Sequence, residues 1–422
     1  MSRPEHYDSL ETREPEAREA ALMQALPAHV AHAKGTTAAF AERLAHVDAG
    51  AITSRHALAA LPVTRKQELL ERQKALRSEN PFGGFAAIGW RGIHAPGRAL
   101  RVFQSPGPIY EPEGVAADYW RMGRAIFAAG FRPGDLAHVS FSYHLTPAGA
   151  MMESGAHAVG CTTFAGGVGN TELQLQAIAE LRPHGYIGTP SFLKILVEKA
   201  LESGTAIASM TKASVGAEAF PPSLRDWLRE RGIDAYQSYG TADAGLIAYE
   251  TAAREGLVVD EGVIVEVVRP GTNDPLPEGE VGELVVTVLN PDYPLVRFGT
   301  GDLTAMLPGR CPTGRTNTRI RGWLGRADQT AKVRGMFVHP SQIAEVVRRH
   351  PGVARARLVI EGEMAADRMT LRVEVDRRAE GLSEAIAASV REITKLRGEI
   401  ELCAPGSLPN DGKVIEDLRQ LA

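Results

Sequence analysis

The chain has little cysteine, few aromatic residues and no marked excess of either charge, and each shortage excludes a class of protein. Its 422 residues include 3 cysteines, and 6% of the residues are aromatic. Three scattered cysteines exclude a disulfide scaffold, show no paired metal-ligand spacing and suit a reducing compartment. A net charge of −4 argues against general nucleic-acid binding and against attachment to an anionic membrane.

Long apolar runs are also missing near the beginning of the chain. The first residues are rich in acids and contain no apolar run long enough for a signal peptide or a membrane span. We therefore expect a soluble, cytoplasmic protein. The length and the 44% share of hydrophobic residues allow a large core and predict two or more domains.

The first part of the chain is predicted to be helical and then to alternate helices with strands. Residues 8–80 have mostly helical spacing, and Thr64 with Gln67 is a candidate capping box. A single helix is predicted from Ala116 to Gly130. The alternation that follows, which includes a helix from Ala148 to Val159 and a strand from Gly185 to Gly188, predicts a largely parallel sheet with helices on its faces.

Valine-rich and mixed segments follow in the second half of the chain. Residues 257–288 turn to strand-forming segments separated by a turn-rich link and predict a mostly antiparallel subdomain. Residues 329–422 mix short strands with helices and predict a small α+β domain.

Polar and glycine-rich segments follow several predicted strands of the parallel sheet. Ligands bind beyond the carboxyl ends of the strands in sheets of this kind. The segments to consider are Tyr143-His144, Thr189-Pro190-Ser191, Gly216-Ala217-Glu218 and Ser238-Tyr239-Gly240-Thr241.

The stretch from Val296 to Gly335 contains two polar turns that suit a ligand site and a domain boundary. A short strand is predicted to leave Asp302 at its end, where a carboxylate can accept two hydroxyl hydrogen bonds, as a ribose offers. Arg326 and Asp328 follow on a second turn, before an apolar alternation that predicts a hairpin. Each motif alone is equally consistent with surface loops.

The order and spacing of these motifs resemble the adenylate-forming enzymes, the acyl-CoA synthetase superfamily, and within it the phenylacetate–CoA ligase branch. Matching segments run in the family's order from about residue 60 to the end of the chain. They are Gly169–Glu172, Gly216–Glu218, Tyr239–Asp243, Leu276–Leu284, Phe337–Ile343 and Gly406–Lys413.

The resemblance implies an α/β fold in two domains. Residues 1–325 would form an adenylation domain with mostly parallel sheets, flanking helices and a β-rich subdomain. Residues 326–328 would be a hinge, and residues 329–422 a small mobile α+β lid domain. Because members of this branch are often dimeric, a homodimer is a further expectation.

The family's reaction has two steps. A carboxylate attacks the α-phosphate of ATP to give an acyl-adenylate and pyrophosphate, and after rotation of the lid the CoA thiolate forms a thioester and releases AMP. The resemblance thus implies an ATP-dependent carboxylate–CoA ligase for an aryl-acetic, aromatic or other small carboxylic acid. ATP/AMP, Mg²⁺ and coenzyme A are the implied cofactors.

The resemblance also assigns roles to single residues. Lys413 would be the catalytic cation, on a long and mobile stem, and Thr241 would touch the α-phosphate. Asp302 would take the ribose hydroxyls, Arg326 would assist at the ribose or phosphate, and Asp328 would be the hinge. The implied nucleotide-binding set is Gly216, Ala217, Glu218, Ser238, Tyr239, Gly240, Thr241, Asp302 and Arg326.

The acyl pocket is less well defined. The implied residues are Tyr143, His144, Gly216 and Tyr236. Tyr143 and His144 fit ordinary, satisfied polar positions equally well.

The chain also departs from the family's pattern at three places. Asp243 stands where the family has a glutamate that binds Mg²⁺, one methylene longer. The phosphate loop corresponds to residues 104–111, in which Pro106 and Pro108 remove two backbone donors. Cys311 matches one cysteine of a zinc site found in some members, but Thr313 replaces its partner, so no zinc site is expected.

These departures leave two alternative hypotheses open. The chain could be a degenerate member that binds AMP, an acyl-adenylate or CoA but adenylates poorly. It could also form adenylates and use an acceptor other than CoA.

Overall fold

The computed structural model describes residues 5–269, 272–327, 331–334, 336–338, 340–362, 367–377, 379–409 and 413–419. The chain forms two compact units, Met1–Gly325 and Arg326–Ala422. Both mix helices and strands, as the sequence predicts. Within the described ranges no helix is long and apolar enough to cross a membrane.

Helices of the larger unit lie mainly before the sheets and between their parallel strands. They are α1 (Pro15–Thr36), α2 (Ala38–Arg43), α3 (Arg55–Ala59), α4 (Lys66–Ala75), α5 (Gly123–Ala128), α6 (Ala148–Val159), α7 (Thr171–Leu181), α8 (Pro190–Ser203) and α9 (Pro222–Arg229). Short 3-10 turns occupy Ser9–Thr12, Ala49–Ala51 and Gly92–His94.

Strands of the larger unit are short and largely buried. They are β1 (Thr64–Arg65), β2 (Arg101–Ser105), β3 (Ile109–Glu113), β4 (Leu136–Val139), β5 (Thr162–Ala165), β6 (Gly185–Gly188), β7 (Lys212–Val215), β8 (Asp234–Thr241), β9 (Gly245–Glu250), β10 (Leu257–Val259), β11 (Val263–Val268), β12 (Gly282–Val288), β13 (Phe298–Thr304), β14 (Met306–Leu307) and β15 (Arg319–Ile320). The strand β16 (Gly325–Arg326) lies at the boundary between the units.

The largest sheet joins a parallel half to an antiparallel half. Its strand order is β14-β15-β10-β9-β8-β7-β6-β4-β5. Strands β4 to β8 are parallel, whereas β9, β10, β14 and β15 are antiparallel to their neighbours. Since parallel strands end at a common edge, the segments after β4, β6, β7 and β8 converge there.

A second sheet has the order β1-β13-β12-β11 and confirms the predicted antiparallel subdomain. Strands β11, β12 and β13 are antiparallel, and β1 adds to β13 in parallel. The expectation that Asp302 ends its strand is wrong. Strand β13 continues to Thr304, which pairs with Gly282, so Asp302 lies within the strand.

Arg297 holds this second sheet against the N-terminal helices. Its side chain is fully buried, and its guanidinium bonds the Glu266 carboxylate at 2.9 Å and the carbonyl oxygens of Ala59, Leu61 and Asn273. Three carbonyls and one carboxylate satisfy the donors of a charge that would otherwise be costly to bury.

The smaller unit contains a hairpin and a sheet covered by helices. Its elements are β17 (Ala331–Val333), β18 (Met336–Val338), α10 (Pro340–Arg349), β19 (Val353–Glu361), β20 (Arg368–Val375), α11 (Leu382–Thr394), β21 (Glu399–Cys403) and β22 (Ile415–Asp417). Strands β17 and β18 form the hairpin predicted after the second polar turn. The sheet order is β21-β20-β19-β22, and buried aliphatic residues of α10 and α11 pack into its core.

Two local predictions were wrong for physical reasons. Thr64 does not cap a helix, because it pairs with Phe298 in the second sheet and the N-cap falls on Arg65. The helix predicted from Ala116 to Gly130 shrinks to α5. Left-handed backbone at Asp118 (φ 49°) and at Arg121 (φ 64°) prevents an earlier start.

Asp118 makes the folding stability of the larger unit depend on pH. Its Oδ2 accepts the Gly123 amide at 2.8 Å, and burial raises the pKa of the carboxyl from 3.8 to about 6. Between these values the folded state binds more protons than the unfolded state, so this group's contribution to stability falls as the pH rises.

We expect Asp118→Asn to stabilise the protein above pH 6, because the amide keeps the acceptor without the buried charge. The full pKa rise corresponds to about 3 kcal/mol, and partial solvent access should reduce the gain to about 1–2 kcal/mol. The gain should vanish below pH 4. Melting curves at several pH values provide the measurement.

A control with the opposite sign is Asp8→Asn. Although burial opposes it, the Arg124 guanidinium at 2.8 Å lowers the pKa of Asp8. This variant should be less stable than the parent at neutral pH and should match it in acid. A melting-temperature difference for Asp118→Asn that does not depend on pH would contradict the argument.

Candidate active site

Two segments meet side by side at the carboxyl ends of β7 and β8. Val215 pairs with Gln237 in parallel register, so the chain after each residue continues next to the other. A Cβ atom at Gly216 would lie 3.0 Å from the Ser238 carbonyl oxygen, and glycine therefore permits this close approach. Ala217 has a left-handed backbone (φ 65°), a strained conformation typical of functional turns.

A carboxylate from the second sheet reaches this edge. The Tyr239 hydroxyl donates to Asp302 Oδ2 at 2.7 Å, and the indole N–H of Trp323 donates to Asp302 Oδ1 at 3.1 Å. Asp302 is 8% exposed. These two bonds, one to each oxygen, fix the plane of the carboxylate.

Gly240 and Thr241, the last residues of β8, shape the turn that leads to β9. A Cβ atom at Gly240 would lie 2.5 Å from the Gly245 carbonyl oxygen, which excludes other residues without rearrangement. Thr241 Oγ1 accepts the Ala244 amide at 3.0 Å. Because that bond uses a lone pair, the hydroxyl hydrogen of Thr241 can donate to a ligand.

A buried ionic cluster lies immediately after this turn. Asp243 has no exposed side-chain surface, and its Oδ2 lies 2.8 Å from the Lys66 ammonium. The Lys66 side chain as a whole is 34% exposed. Although burial alone would raise the pKa of Asp243, Lys66 holds it below its usual range. Burial, followed by the charge of Asp243, raises the pKa of Glu111 well above its usual value.

The two carboxyl groups of this cluster influence each other, since the charge of Asp243 raises the pKa of Glu111. Glu111 Oε2 and Asp243 Oδ1 are both buried, and neither has a hydrogen-bond partner among the residues that the structure describes. Ser105 Oγ donates to Glu111 Oε1 at 3.3 Å. A cavity of about 10 Å³ adjoins the pair, and its walls are Phe103, Glu111, Pro112, Tyr119, Trp120, Pro147, Ala242, Asp243 and Tyr293.

The segment expected to be a phosphate loop is a tight hairpin. Ser105 pairs with Ile109, so only Pro106, Gly107 and Pro108 connect β2 to β3. Gln73 of α4 bonds the backbone of Tyr110 in both directions at 2.8 Å, as a neighbouring strand would. Of residues 104–111, which correspond to the family's phosphate loop, most therefore belong to strands β2 and β3.

Both acids of this hairpin are neutralised or buried. Glu113 accepts two hydrogen bonds from the Arg101 guanidinium, at 2.6 and 3.0 Å. Glu111 is buried, with 5% of the residue's surface exposed. Neither presents an unpaired negative charge on the surface of the hairpin.

Within the described ranges, no hydrogen bond joins the residues of the proposed acyl pocket to one another. Tyr143 is half-buried, burial raises its pKa, and its hydroxyl has no hydrogen-bond partner within the described ranges. His144 is exposed. The Tyr236 hydroxyl donates to Asp234 at 2.7 Å near the start of β8, whereas Thr241 is at the other end of that strand. Burial raises the pKa of Tyr236 to about 12.

Three sequence candidates belong to the smaller unit or its boundary. Arg326, half-buried, is the second residue of β16, and Lys413 is exposed just before β22. Asp328 lies outside the described residues.

Comparisons with known proteins decide the family. A model of AMP-binding enzymes matches residues 128–288, and a model of the AMP-binding enzyme C-terminal domain matches residues 335–418. The phenylacetate–coenzyme A ligase of Thermus thermophilus is 30% identical over 405 residues, covering 86% of this chain and 87% of that protein. The Escherichia coli enzyme of the same name is 28% identical, covering 86% of each.

The chain belongs to the phenylacetate–CoA ligase branch of the adenylate-forming enzymes. Its fold agrees with this assignment. A 2-hydroxyisobutyryl-CoA ligase, solved with 2-HIB-AMP and CoA in the thioesterification state, superposes with a TM-score of 0.81. At 24% identity it covers 100% of this chain and 96% of its own, which shows a shared fold with an N-terminal and a C-terminal domain.

This member of the adenylate-forming family has hydroxyl groups around its single matching zinc-site cysteine. Cys311 is buried, and its sulfur lies 3.3 Å from Thr251 Oγ1 and 3.1 Å from Thr313 Oγ1. In the part of the chain that the structure describes, no group of three His, Cys, Asp or Glu residues could hold a metal ion.

Sequence reasoning missed two residues of the site. Trp323 reaches Asp302 because the Leu324 amide bonds the Leu303 carbonyl oxygen at 2.9 Å and aligns the two segments. Lys66 reaches Asp243 across 177 positions of sequence. Neither residue stands in a motif that points to its partner.

We expect Trp323→Phe to weaken AMP binding about tenfold, if Asp302 is the ribose ligand of this adenylate-forming enzyme. The change removes one hydrogen bond to a charged group, typically about 1.5 kcal/mol, and frees the carboxylate to rotate. Calorimetric titration with AMP measures the effect.

The matched control is Trp227→Phe on α9, where the ring lies beneath the Arg231 guanidinium. Asp302→Ala should cost more than Trp323→Phe, because it removes the acceptor itself. If AMP binds all three variants as it binds the parent, the ribose lies elsewhere.

Proposed function

We propose that this protein is an ATP-dependent carboxylate–CoA ligase that activates a small carboxylic acid as an acyl-adenylate. The observation that carries the proposal is the Asp302 carboxylate, oriented by Tyr239 and Trp323 beside the glycine-rich edge. The relatives named phenylacetate–CoA ligases support an aryl-acetic, aromatic or other small acid as the substrate.

The nucleotide would lie along the carboxyl edge of the parallel strands. Gly216–Glu218 and Ser238–Gly240 would flank the adenine, with the Tyr239 ring against its face. The ribose hydroxyls would donate to Asp302, since an ionised carboxylate is an acceptor for hydroxyl groups. Arg326 would assist at the ribose or phosphate.

Catalysis of adenylation would depend on charge placed at the α-phosphate. Negative charge accumulates there as the carboxylate attacks, and a cation with a hydrogen-bond donor stabilises it. Lys413 would supply the cation and the Thr241 hydroxyl the donor. The smaller domain would then rotate at a hinge formed by residues 326–328, including Asp328, and the new arrangement would admit CoA.

The pyrophosphate part of ATP has little to bind on the hairpin. In the connection from β2 to β3, Gly107 has the one backbone N–H, because the flanking residues are prolines. Most affinity for a nucleotide would therefore come from the adenine, ribose and α-phosphate.

Magnesium does not fit at Asp243 as the sequence prediction requires. Lys66 already neutralises this buried carboxylate, and the adjoining cavity is about 10 Å³. Magnesium that arrives with ATP would be held by phosphate oxygens and water.

The hairpin gives specific support to a second candidate function. A degenerate member would bind AMP, an acyl-adenylate or CoA and would handle ATP poorly, and a third would use an acceptor other than CoA. Pyrophosphate release with a panel of carboxylic acids, measured with and without CoA, separates the three. Release that appears with one acid and thioester that appears with CoA support the ligase.

We expect Lys413→Ala to abolish pyrophosphate release while leaving the melting temperature unchanged, because the exposed lysine contributes charge rather than packing. The control is Lys395→Asn in the same unit, which removes a charge at a left-handed position that asparagine tolerates. Release at the parental rate by Lys413→Ala would remove Lys413 from the mechanism.

A second prediction concerns the phosphates. ATP should bind no more than several-fold more tightly than AMP, because the hairpin supplies few donors. Paired titrations with Mg²⁺ present measure the ratio. A hundredfold preference for ATP, about 2.7 kcal/mol, would show a working phosphate site and would exclude the degenerate alternative.

The homodimer and the cytoplasmic location stay predictions. Light scattering of the purified chain tests the first.

A further inference from the structure

The cluster of Lys66, Asp243 and Glu111 pairs one ammonium group with two buried carboxyl groups. Asp243 has no exposed side-chain surface, so a partner that neutralises it must come from within the fold or through the cavity. The Lys66 ammonium, 2.8 Å from Asp243 Oδ2, enters from the first residue of α4. Helix α4 also fixes the hairpin through Gln73.

Charge in the cluster is balanced without a further ion. Burial raises the pKa of Glu111 well above its usual value and favours its neutral form, which leaves the Asp243 carboxylate as the negative charge of the pair. Lys66 supplies one positive charge. The other polar groups beside the pair are the hydroxyls of Ser105, Tyr119 and Tyr293, which are neutral because burial raises the pKa of both tyrosines.

Space in the cluster also opposes a metal ion. The adjoining cavity of about 10 Å³ is close to the minimum for one water molecule. Magnesium demands octahedral coordination and usually keeps several waters. Apart from Glu111 and Asp243, the side chains of the walls offer no carboxylate, since they are Phe103, Pro112, Trp120, Pro147, Ala242 and the hydroxyl-bearing Tyr119 and Tyr293.

We propose that the Lys66 ammonium is the resident cation of this site and that no divalent metal ion binds at Asp243. The lysine does for the buried Asp243 carboxylate what a metal ion would otherwise do. The inference does not depend on the proposed ligase activity, since it concerns the protein without nucleotide.

The first test measures Mn²⁺ binding to the nucleotide-free protein by electron paramagnetic resonance. The parent should retain no stoichiometric Mn²⁺ at concentrations where a protein site would fill. One bound Mn²⁺ per chain that disappears in Asp243→Asn would overturn the proposal. Because no nucleotide is present, this outcome would leave the ligase proposal untouched.

The second test is a double-mutant cycle on thermal stability. Lys66→Met should lower the melting temperature by several degrees, since it leaves a buried carboxylate without its cation. Adding Asp243→Asn to that variant should restore most of the loss, and Lys66→Arg should lose less than Lys66→Met.

Equal melting temperatures for the parent and Lys66→Met would show that Lys66 is not the counter-ion and would overturn the proposal. Should Lys66→Met fail to fold, recovery of a folded protein in the double variant would support the same pairing, and failure of both variants would contradict it. Lys74→Met, at an exposed position near the end of α4, controls for the loss of a lysine from the same helix.

Discussion

The structure of the larger unit depends on one buried arginine. Arg297 stands just before β13 with a left-handed backbone (φ 46°), and its guanidinium bonds Glu266 of β11 and carbonyl oxygens at the end of α3. Its own carbonyl oxygen accepts the Thr64 amide at 2.8 Å and begins the pairing of β1 with β13. Removal of either charged partner would leave the other buried and unpaired, which typically costs about 3–5 kcal/mol.

This constraint explains how the candidate site combines two sheets. Arg297 sets where β13 starts, and Asp302 follows five residues later on the same strand. The parallel strands independently bring Tyr239 to their common edge, and the bond between Tyr239 and Asp302 joins the two parts. The precision of the site therefore comes from strands on both sides rather than from a flexible loop, as a preorganised binding site requires.

Sequence reasoning identified what local pattern determines and missed what long-range pairing determines. Helix α6 and strand β6 could be predicted to the residue, because apolar spacing and flanking glycines mark them. The motif at Gly216 could be recognised from its order along the chain. The partners of Asp302 and Asp243 could not be predicted, since Trp323 and Lys66 arrive through β-pairing and helix packing that no local spacing encodes.

Two of the three departures from the family pattern, at Asp243 and in the segment of the phosphate loop, meet in one cluster. Gln73 holds the Tyr110 backbone, and the next residue, Glu111, is buried. There it meets Asp243 beside a cavity of about 10 Å³. A glutamate at position 243 would place an extra methylene in this packed space, where overpacking typically costs about 1–3 kcal/mol. The shorter aspartate and the buried glutamate of the hairpin therefore share one packed space, and Lys66 offsets the charge of the buried Asp243.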